Sequence, residues 1–218
     1  MTTLATRLIA GSSECKTRLH DQGGEVVSAS RLLKNGSRAF VTGIGRVLLG
    51  WRPRRPWISY DAQAVLARHL TPTSRVLEFG SGMSTLWYAD RVGEVFSIEE
   101  DPAWFAAMQP KLPANATVKL ALTQDEYLAF PQQSYDLIMV DGHSRNLCIA
   151  AALPFLAPGG IIYLDNSDRA RYSEGLRAFT SYAMTHPCEI VHFTDFAPTQ
   201  FFAARGTMLR RTDHIGQR

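Results

Sequence analysis

The chain has 218 residues, of which 45% are hydrophobic and 20% are charged, and its net charge is +3. This length and balance are typical of a globular domain with one sizeable core, and they exclude a disordered chain, a fibrous repeat and a membrane channel. The three cysteines, Cys15, Cys148 and Cys188, fit neither a disulfide framework nor a zinc motif. We therefore expect a protein of the reducing cytoplasm.

Positive charge is concentrated in the first 60 residues, which hold ten Lys or Arg and only three Asp or Glu. The apolar stretch 39–51 within them is too short to span a bilayer and contains Arg46. Two interpretations stay open for this basic region. It is either a solvated leader that packs on the body of the protein, or a peripheral contact for an anionic partner such as lipid head groups.

The Pro-containing segment 51–57 marks a boundary, because proline disfavours helix at the residue before it. We predict a basic extension over 1–58, with short helices separated by glycine-containing breaks, and a second domain over 59–218. A helix is predicted from about residue 59 to 70, because the apolar residues in it share one face.

Short apolar strands alternate with helices from residue 74 onward. The predicted strands are 75–79, 94–98, 117–122, 135–140, 161–164, 189–193 and 201–209. The predicted helices are 84–91, one beginning at 101–102, 125–130, 146–156 and 168–186, with a turn at 157–160 and a loop at 194–200. This order predicts an α/β fold: a Rossmann-like, doubly wound, mostly parallel seven-stranded sheet with helices on both faces and a C-terminal antiparallel strand pair.

Ligands of such sheets bind beyond the carboxyl ends of the strands. The first strand ends at Glu78, and the turn after it contains Gly80, Ser81, Gly82 and Ser84. Glycine lets this backbone turn tightly and approach a ligand. A dinucleotide fingerprint would place a third glycine at position 85, where this chain has threonine, and the carboxylate before the turn favours a cationic ligand over a pyrophosphate.

Glu99 ends the second strand, where an acidic side chain can accept hydrogen bonds from both hydroxyls of a ribose. With this residue, the glycine turn, YDLIMVDG at the fourth strand and PGGIIYLDN at the fifth, residues 75–166 resemble the class I methyltransferase family. The resemblance implies S-adenosylmethionine as cofactor, with the turn near its methionine part and Glu99 on its ribose. It also implies that Gln124 or Asp125 lies near the adenine, and that Asp141 lies in the same cleft.

The fourth and fifth strand ends also resemble catechol-type O-methyltransferases, in which two aspartates and an asparagine bind a divalent ion. The corresponding residues here are Asp141, Asp165 and Asn166, whose hard oxygen ligands suit Mg²⁺. The chain departs from that pattern, because Ser144 stands where those enzymes have a catalytic lysine, and its glycine turn is one residue shorter. Either His143 or Arg145 would have to stand in for that lysine. His143 is a candidate general base, and Asp141 is the other catalytic candidate.

The sequence therefore predicts a methyltransferase that acts by O-methylation on a small-molecule or glycan-like acceptor. A nucleic-acid acceptor is not favoured, because no RNA-binding motif is present. Three alternatives stay open: a nicotinamide-dependent oxidoreductase, a spermidine-synthase-like aminopropyl transferase, and a non-catalytic cofactor-binding module that docks through its basic region.

Overall fold

The computed structural model describes residues 15–213. Residues 15–28 are irregular apart from an isolated bridge between His20 and Val26. The helices are α1 (Ser37–Leu49), α2 (Tyr60–His69), α3 (Met83–Ala89), α4 (Pro102–Met108), α5 (Gln124–Tyr127), α6 (Arg145–Ala152) and α7 (Ser173–Ala183). The strands are β1 (Arg75–Phe79), β2 (Glu94–Glu99), β3 (Ala116–Leu120), β4 (Tyr135–Val140), β5 (Leu156–Leu164), β6 (Cys188–Ala197) and β7 (Gln200–Arg211).

The seven strands form one sheet in the order β3-β2-β1-β4-β5-β7-β6. Strands β1 to β5 pair in parallel, and β7 is antiparallel to both of its neighbours. The central strands are apolar on both faces, and Leu77, Phe79, Leu137 and Val140 are fully buried between the helical layers. The predicted Rossmann-like fold is confirmed, and β1 and β4 form the switch point where the strand order reverses.

The helical part of the basic extension is continuous, and the prediction of short helices with glycine breaks was wrong. A helical turn (Ala29–Arg31) and a π-helical segment (Leu32–Gly36) lead directly into α1, which ends at Gly50 in a left-handed conformation. Gly36 and Gly43 do not break the helix, and both lie against the hairpin of β6 and β7. A side chain at Gly36 would crowd the Phe196 ring at 3.2 Å, whereas one at Gly43 would make an ordinary contact with the Thr199 carbonyl at 3.6 Å.

Three boundaries near the C-terminus differ from the prediction. The predicted turn at 157–160 lies inside β5, where pairing jumps from Leu156 opposite Tyr135 to Ile161 opposite Leu137, so these four residues bulge from the ladder. The predicted loop at 194–200 is mostly strand, because β6 and β7 continue to a turn of two residues, Pro198 and Thr199.

The predicted helix 168–186 begins later than expected. Asn166 has a φ of 50° and its carbonyl accepts the Arg169 N–H at 3.1 Å, which closes a turn. A 3-10 turn (Ala170–Tyr172) follows before α7 begins.

Candidate functional site

The turn after β1 lies against the loop after β4. Gly80 has a φ of +97°, in the region that favours glycine. A side chain at Gly80 would lie 3.3 Å from the backbone of Gly142, so the two loops are in close contact. The Gly82 N–H donates to the Thr85 hydroxyl at 3.0 Å, which caps the start of α3. The glycine pair therefore brings two strand ends together at the switch point.

Glu78 is almost fully buried beneath this turn and is held by three hydroxyl groups. Its carboxylate accepts hydrogen bonds from Ser84, from Thr85 at 2.6 Å and from Ser97 at 2.6 Å. Burial raises the pKa of Glu78 to about 7, although the three hydroxyls oppose the shift, and the nearby charge of Asp141 raises it further. Glu78 thus fixes the turn from below, in addition to lining the cavity described next.

Glu99 is held with its carboxylate beside the turn. One oxygen accepts from the Ser81 backbone N–H at 3.0 Å and from its hydroxyl at 2.8 Å. The other accepts from the backbone N–H groups of Glu100 and Asp101 at 3.0 and 2.9 Å. These four bonds set the orientation of the carboxylate at the end of β2.

A cavity of about 330 Å³ lies above the switch point. It is lined by Glu78, Gly80, Ser81, Ser84, Glu99, Asp101, Trp104, Asp141 and Gly142. The predicted cofactor residues of the first two strand ends and Asp141 therefore meet in one place, with Gly82 on the adjoining wall described below.

Trp104 was not predicted as a site residue. Its indole N–H donates to the Ser81 carbonyl at 2.8 Å. Asp101 caps α4 by accepting from the N–H groups of Ala103 and Trp104, as predicted, and this cap orients the first turn of the helix toward the cavity. The predicted helix cap at 101–102 is the sequence feature that could have indicated that Trp104 lies near the site.

Gln124 and Asp125 are exposed in the first turn of α5 and are not among the residues that line the cavity. A capping box holds this turn, since the Thr123 hydroxyl accepts from the Glu126 N–H and the Glu126 carboxylate accepts from the Thr123 N–H. The geometry does not support the predicted adenine contact for these two side chains.

The carboxylates of Asp141 and Asp165 face a guanidinium group. Arg145 Nη2 lies 2.9 Å from Asp141 Oδ1, and Nη1 lies 3.7 Å from Asp165 Oδ2. The same group donates to the carbonyls of Gly142, Asp141 and Asp165. Burial opposes its charge, but the two carboxylates outweigh burial and hold the pKa of Arg145 above its ordinary value. Arg145 therefore ties the ends of β4 and β5 together.

The predicted Mg²⁺ site does not fit this arrangement. Among residues 15–213, no group of three or more His, Cys, Asp or Glu side chains could hold a metal ion. Asp165 is buried and does not line the cavity, and burial and the nearby charge of Asp141 raise its pKa. Asn166 serves the turn after β5 through its left-handed backbone. The cation that these carboxylates need is already supplied by Arg145, the first residue of α6, four residues after Asp141.

His143 does not face the cavity. Its Nδ1 lies 2.6 Å from Glu100 Oε1, and its side chain is 75% exposed. The Ser144 residue that follows has a φ of 48°, which turns the chain into α6. The geometry thus gives His143 a surface contact with Glu100 and does not support its predicted role as general base.

A second cavity of about 170 Å³ adjoins the first. It is lined by Arg52, Arg55, Trp57, residues 81–84, Trp104 and Asp141. The two cavities share Asp141, Trp104 and the glycine turn. The Arg52 guanidinium lies 4.9 Å from the centre of the Trp104 ring, so the segment before α2 closes this side of the site.

Comparisons with known proteins agree with the fold. Residues 77–167 match a family model described as a methyltransferase domain. Among curated proteins, none matches this sequence. The O-methyltransferase TomG from Streptomyces achromogenes, involved in tomaymycin synthesis and solved in complex with S-adenosylmethionine, is 16% identical, with a TM-score of 0.56 over 80% of this chain and 89% of TomG.

Two further structures share the fold but have other described activities. A precorrin-6y C5,15-methyltransferase from Geobacter metallireducens is 12% identical, with a TM-score of 0.51 over 74% of this chain and 94% of that one. The M. jannaschii tRNA m1G37 methyltransferase is 12% identical, with a TM-score of 0.51 over 71% of this chain, and this chain spans only 49% of its length.

The parallel core, the antiparallel C-terminal strands and the cavity at the switch point define a Rossmann-like methyltransferase domain. Residues 77–167 match the methyltransferase-domain model, and the fold is the one seen in the S-adenosylmethionine complex of TomG.

Proposed function

We propose that this protein transfers a methyl group from S-adenosylmethionine to a hydroxyl group of a small-molecule or glycan-like acceptor. The observation that carries the proposal is the pair of adjoining cavities that share Asp141. The first cavity, with Glu99 at the end of β2, suits the cofactor. The second suits the acceptor, because any group bound there lies directly beside the first.

The residues of the first cavity are suited to hold the cofactor. Glu99 would accept hydrogen bonds from the ribose hydroxyls, and the backbone of the glycine turn would contact the methionine part. Ser84 and the buried Glu78 would support this turn. When bound, the cofactor supplies the methyl group for a single in-line displacement by the acceptor oxygen, which leaves S-adenosylhomocysteine.

Asp141 is the group we propose to accept the acceptor's proton. Its side chain is 40% exposed, and it lines both cavities. The guanidinium of Arg145, at 2.9 Å, fixes the orientation of this carboxyl group. This role replaces the one that the sequence suggested for His143, whose ring is paired with Glu100 outside both cavities.

The wall of the second cavity favours an acceptor that carries negative charge. Neither Arg52 nor Arg55 has an ion pair within residues 15–213, and both guanidinium groups belong to this wall. Trp57 adds an aromatic surface beside them. A carboxylate or phosphate on the acceptor would pair with these cations while its hydroxyl lies near Asp141.

Ligand binding by matched acidic variants tests the cofactor assignment. In Glu99→Gln, the side chain that we propose to accept hydrogen bonds from the ribose hydroxyls loses its charge. We therefore expect S-adenosylhomocysteine to bind at least about tenfold more weakly in isothermal titration. Glu100→Gln is the control, because Glu100 is the next residue, is half-exposed and does not line the cavity. Its affinity should stay within about twofold of the wild type, since it makes no contact with the ligand.

Titration and a methyl-transfer assay together separate the alternatives. A nicotinamide-dependent oxidoreductase would bind NAD, and NAD binding by the wild-type protein would contradict our proposal. Equal affinity of the two variants for S-adenosylhomocysteine would remove Glu99 from the site. A non-catalytic module would bind the ligand but transfer no labelled methyl group to any compound in a broad panel of anionic and neutral hydroxyl acceptors.

A further inference from the structure

Helix α1 packs on the protein through its small and polar side. Ala39 is fully buried, and the Thr42 hydroxyl accepts the Thr199 N–H at 2.8 Å. Gly43 lies beside the Thr199 carbonyl, and Arg46 donates to the Thr199 hydroxyl at 3.4 Å. These contacts, together with the edge-on packing of the Phe40 ring on Phe201, hold the helix on the hairpin of β6 and β7 and leave most of its large apolar side chains exposed.

Those apolar side chains face away from the protein. The α1 face consists of exposed large hydrophobic residues on and beside the helix: Leu33, Phe40, Val41, Ile44, Val47, Leu48, Leu49 and Trp51. Positions 40, 41, 44, 47 and 48 have the spacing of a single helical stripe, and Val47 is 82% exposed. Single exposed hydrophobic residues are common on protein surfaces, whereas a continuous stripe marks a surface that another body covers.

Positive charge is concentrated in the segment that carries the α1 face. Residues 26–60 contain seven Lys or Arg and no Asp or Glu. Arg31 pairs with Asp61 and Arg54 with Asp90. The other five form no ion pair with any residue between 15 and 213, and these are Lys34, Arg38, Arg46, Arg52 and Arg55. The body that covers this face should therefore be apolar inside and negatively charged at its surface.

We infer that the α1 face docks on an anionic lipid bilayer. An exposed apolar stripe with a basic border matches the interface of a membrane, where apolar side chains enter the acyl region and Lys and Arg meet the head groups. A second copy of the chain fits less well, because a two-fold contact would bring these unpaired cations against each other. Among residues 15–213 no helix is both long and apolar enough to cross a bilayer, so the contact is peripheral.

Docking in this orientation has a consequence for the cavities. A third cavity of about 470 Å³ opens beside α1, and its lining includes Arg38, Val41, Trp51, Arg55 and Tyr60. It shares Arg55 with the second cavity near Asp141. The bilayer would therefore lie beside a route that leads toward the site, although docking does not depend on the chemistry proposed there.

Vesicle sedimentation with the full chain tests this inference. We expect at least about tenfold more protein on phosphatidylcholine vesicles that contain phosphatidylglycerol than on phosphatidylcholine alone, because each cation near the surface contributes about 1 kcal/mol. The difference should shrink at high salt. Val47→Glu should reduce binding to the anionic vesicles by about tenfold or more, because it puts a charge into the apolar stripe.

Met184→Glu is the matched control, because Met184 is also 82% exposed but lies at the end of α7, away from the α1 face. It should bind vesicles as the wild type does, and both variants should keep the wild-type unfolding midpoint. Equal loss of binding in the two variants, or equal binding of the wild type to neutral and anionic vesicles, would overturn the inference. A dimer in solution that Val47→Glu dissociates would assign the face to a second copy instead.

Discussion

Glu78 supports the glycine turn of the proposed binding site through its buried carboxyl group. Its carboxylate is buried under the glycine turn and accepts three hydroxyl hydrogen bonds, two of them at 2.6 Å. Hydroxyl donors stabilise the ionised form, but they do not compensate for the loss of water, and the pKa rises from 4.5 to about 7. The folded protein therefore holds a proton here that the unfolded chain releases at a lower pH.

This shift sets the sign of a pH effect on stability. A raised carboxyl pKa adds stability that is fully present below about pH 4.5 and is lost as pH rises through about 7. The amplitude is about 3 kcal/mol, from about 1.4 kcal/mol per unit of pKa. In Glu78→Gln we expect this decline in the free energy of unfolding to disappear. Denaturant titrations between these pH values measure it.

Glu174→Gln provides the control for that experiment, because Glu174 lies exposed on α7 and pairs with Arg177 at the helix surface. Its unfolding free energy should follow pH as in the wild type. A Glu78→Gln protein with an unchanged pH slope would show that this carboxyl group does not carry the shift.

At the scale of elements, the ends of β4 and β5 are joined by one side chain at the start of α6. Arg145 bonds three backbone carbonyls and the Asp141 carboxylate, and its charge faces Asp165. Removing it leaves the buried Asp165 and the backbone carbonyls without their partner. Loss of one member of a buried ion pair typically costs about 3 to 5 kcal/mol, more than the pair itself contributes.

We therefore expect Arg145→Met to lower the free energy of unfolding by about 3 kcal/mol or more, measured by denaturant titration near neutral pH. Arg177→Met on α7 is the control, since this arginine is exposed and pairs at 3.7 Å with Glu174, and its effect should stay below about 1 kcal/mol. Stabilisation of the wild type by Mg²⁺, reversed by a chelator, would contradict the assignment of Arg145 as the cation of this cluster.

At the scale of the whole molecule, the basic extension is tied to the far edge of the sheet by buried polar groups. Asn35 in the π-helical segment donates to Asp195 of β6 at 2.8 Å and to Asp61 at 3.2 Å. Arg205 of β7 pairs with Asp21 at 2.9 Å. The contacts of Asn35 with Asp195 and of Arg205 with Asp21 join residues 160 and 184 positions apart in the chain, so residues 15–58 pack as part of the folded body.

Asn35→Ala should therefore destabilise the whole molecule. It leaves the buried Asp195 without one donor, and we expect a loss of about 1 to 3 kcal/mol in a single unfolding transition. Ser37→Ala, two residues on, is the control, because the Ser37 hydroxyl is exposed and bonds only to carbonyls of its own helix. A separate early transition in the variant, followed by circular dichroism, would show instead that the extension unfolds independently.

The local patterns predicted most of the parallel core. The strand 135–140 was predicted at its observed bounds, and the glycine turn and Glu99 meet as expected, because alternating apolar strands and helix caps depend on neighbouring residues. The π-helical segment, the ion pair of His143 with Glu100 and the guanidinium between Asp141 and Asp165 were not predicted. The contacts of His143 and Arg145 depend on which strand-end loops approach one another. Spacing along the chain does not determine this.

The hairpin turn at Pro198 and Thr199 limits how this fold can vary in length. Turns between antiparallel strands usually tolerate added residues, because their backbone groups face water. Here the Thr199 N–H bonds to Thr42, and its carbonyl lies beside Gly43. An inserted residue would lift the turn away from α1 and expose the buried Ala39. Insertions should therefore accumulate in surface connections such as 131–134. The length of this hairpin should stay constant, because the hairpin sets the position of α1.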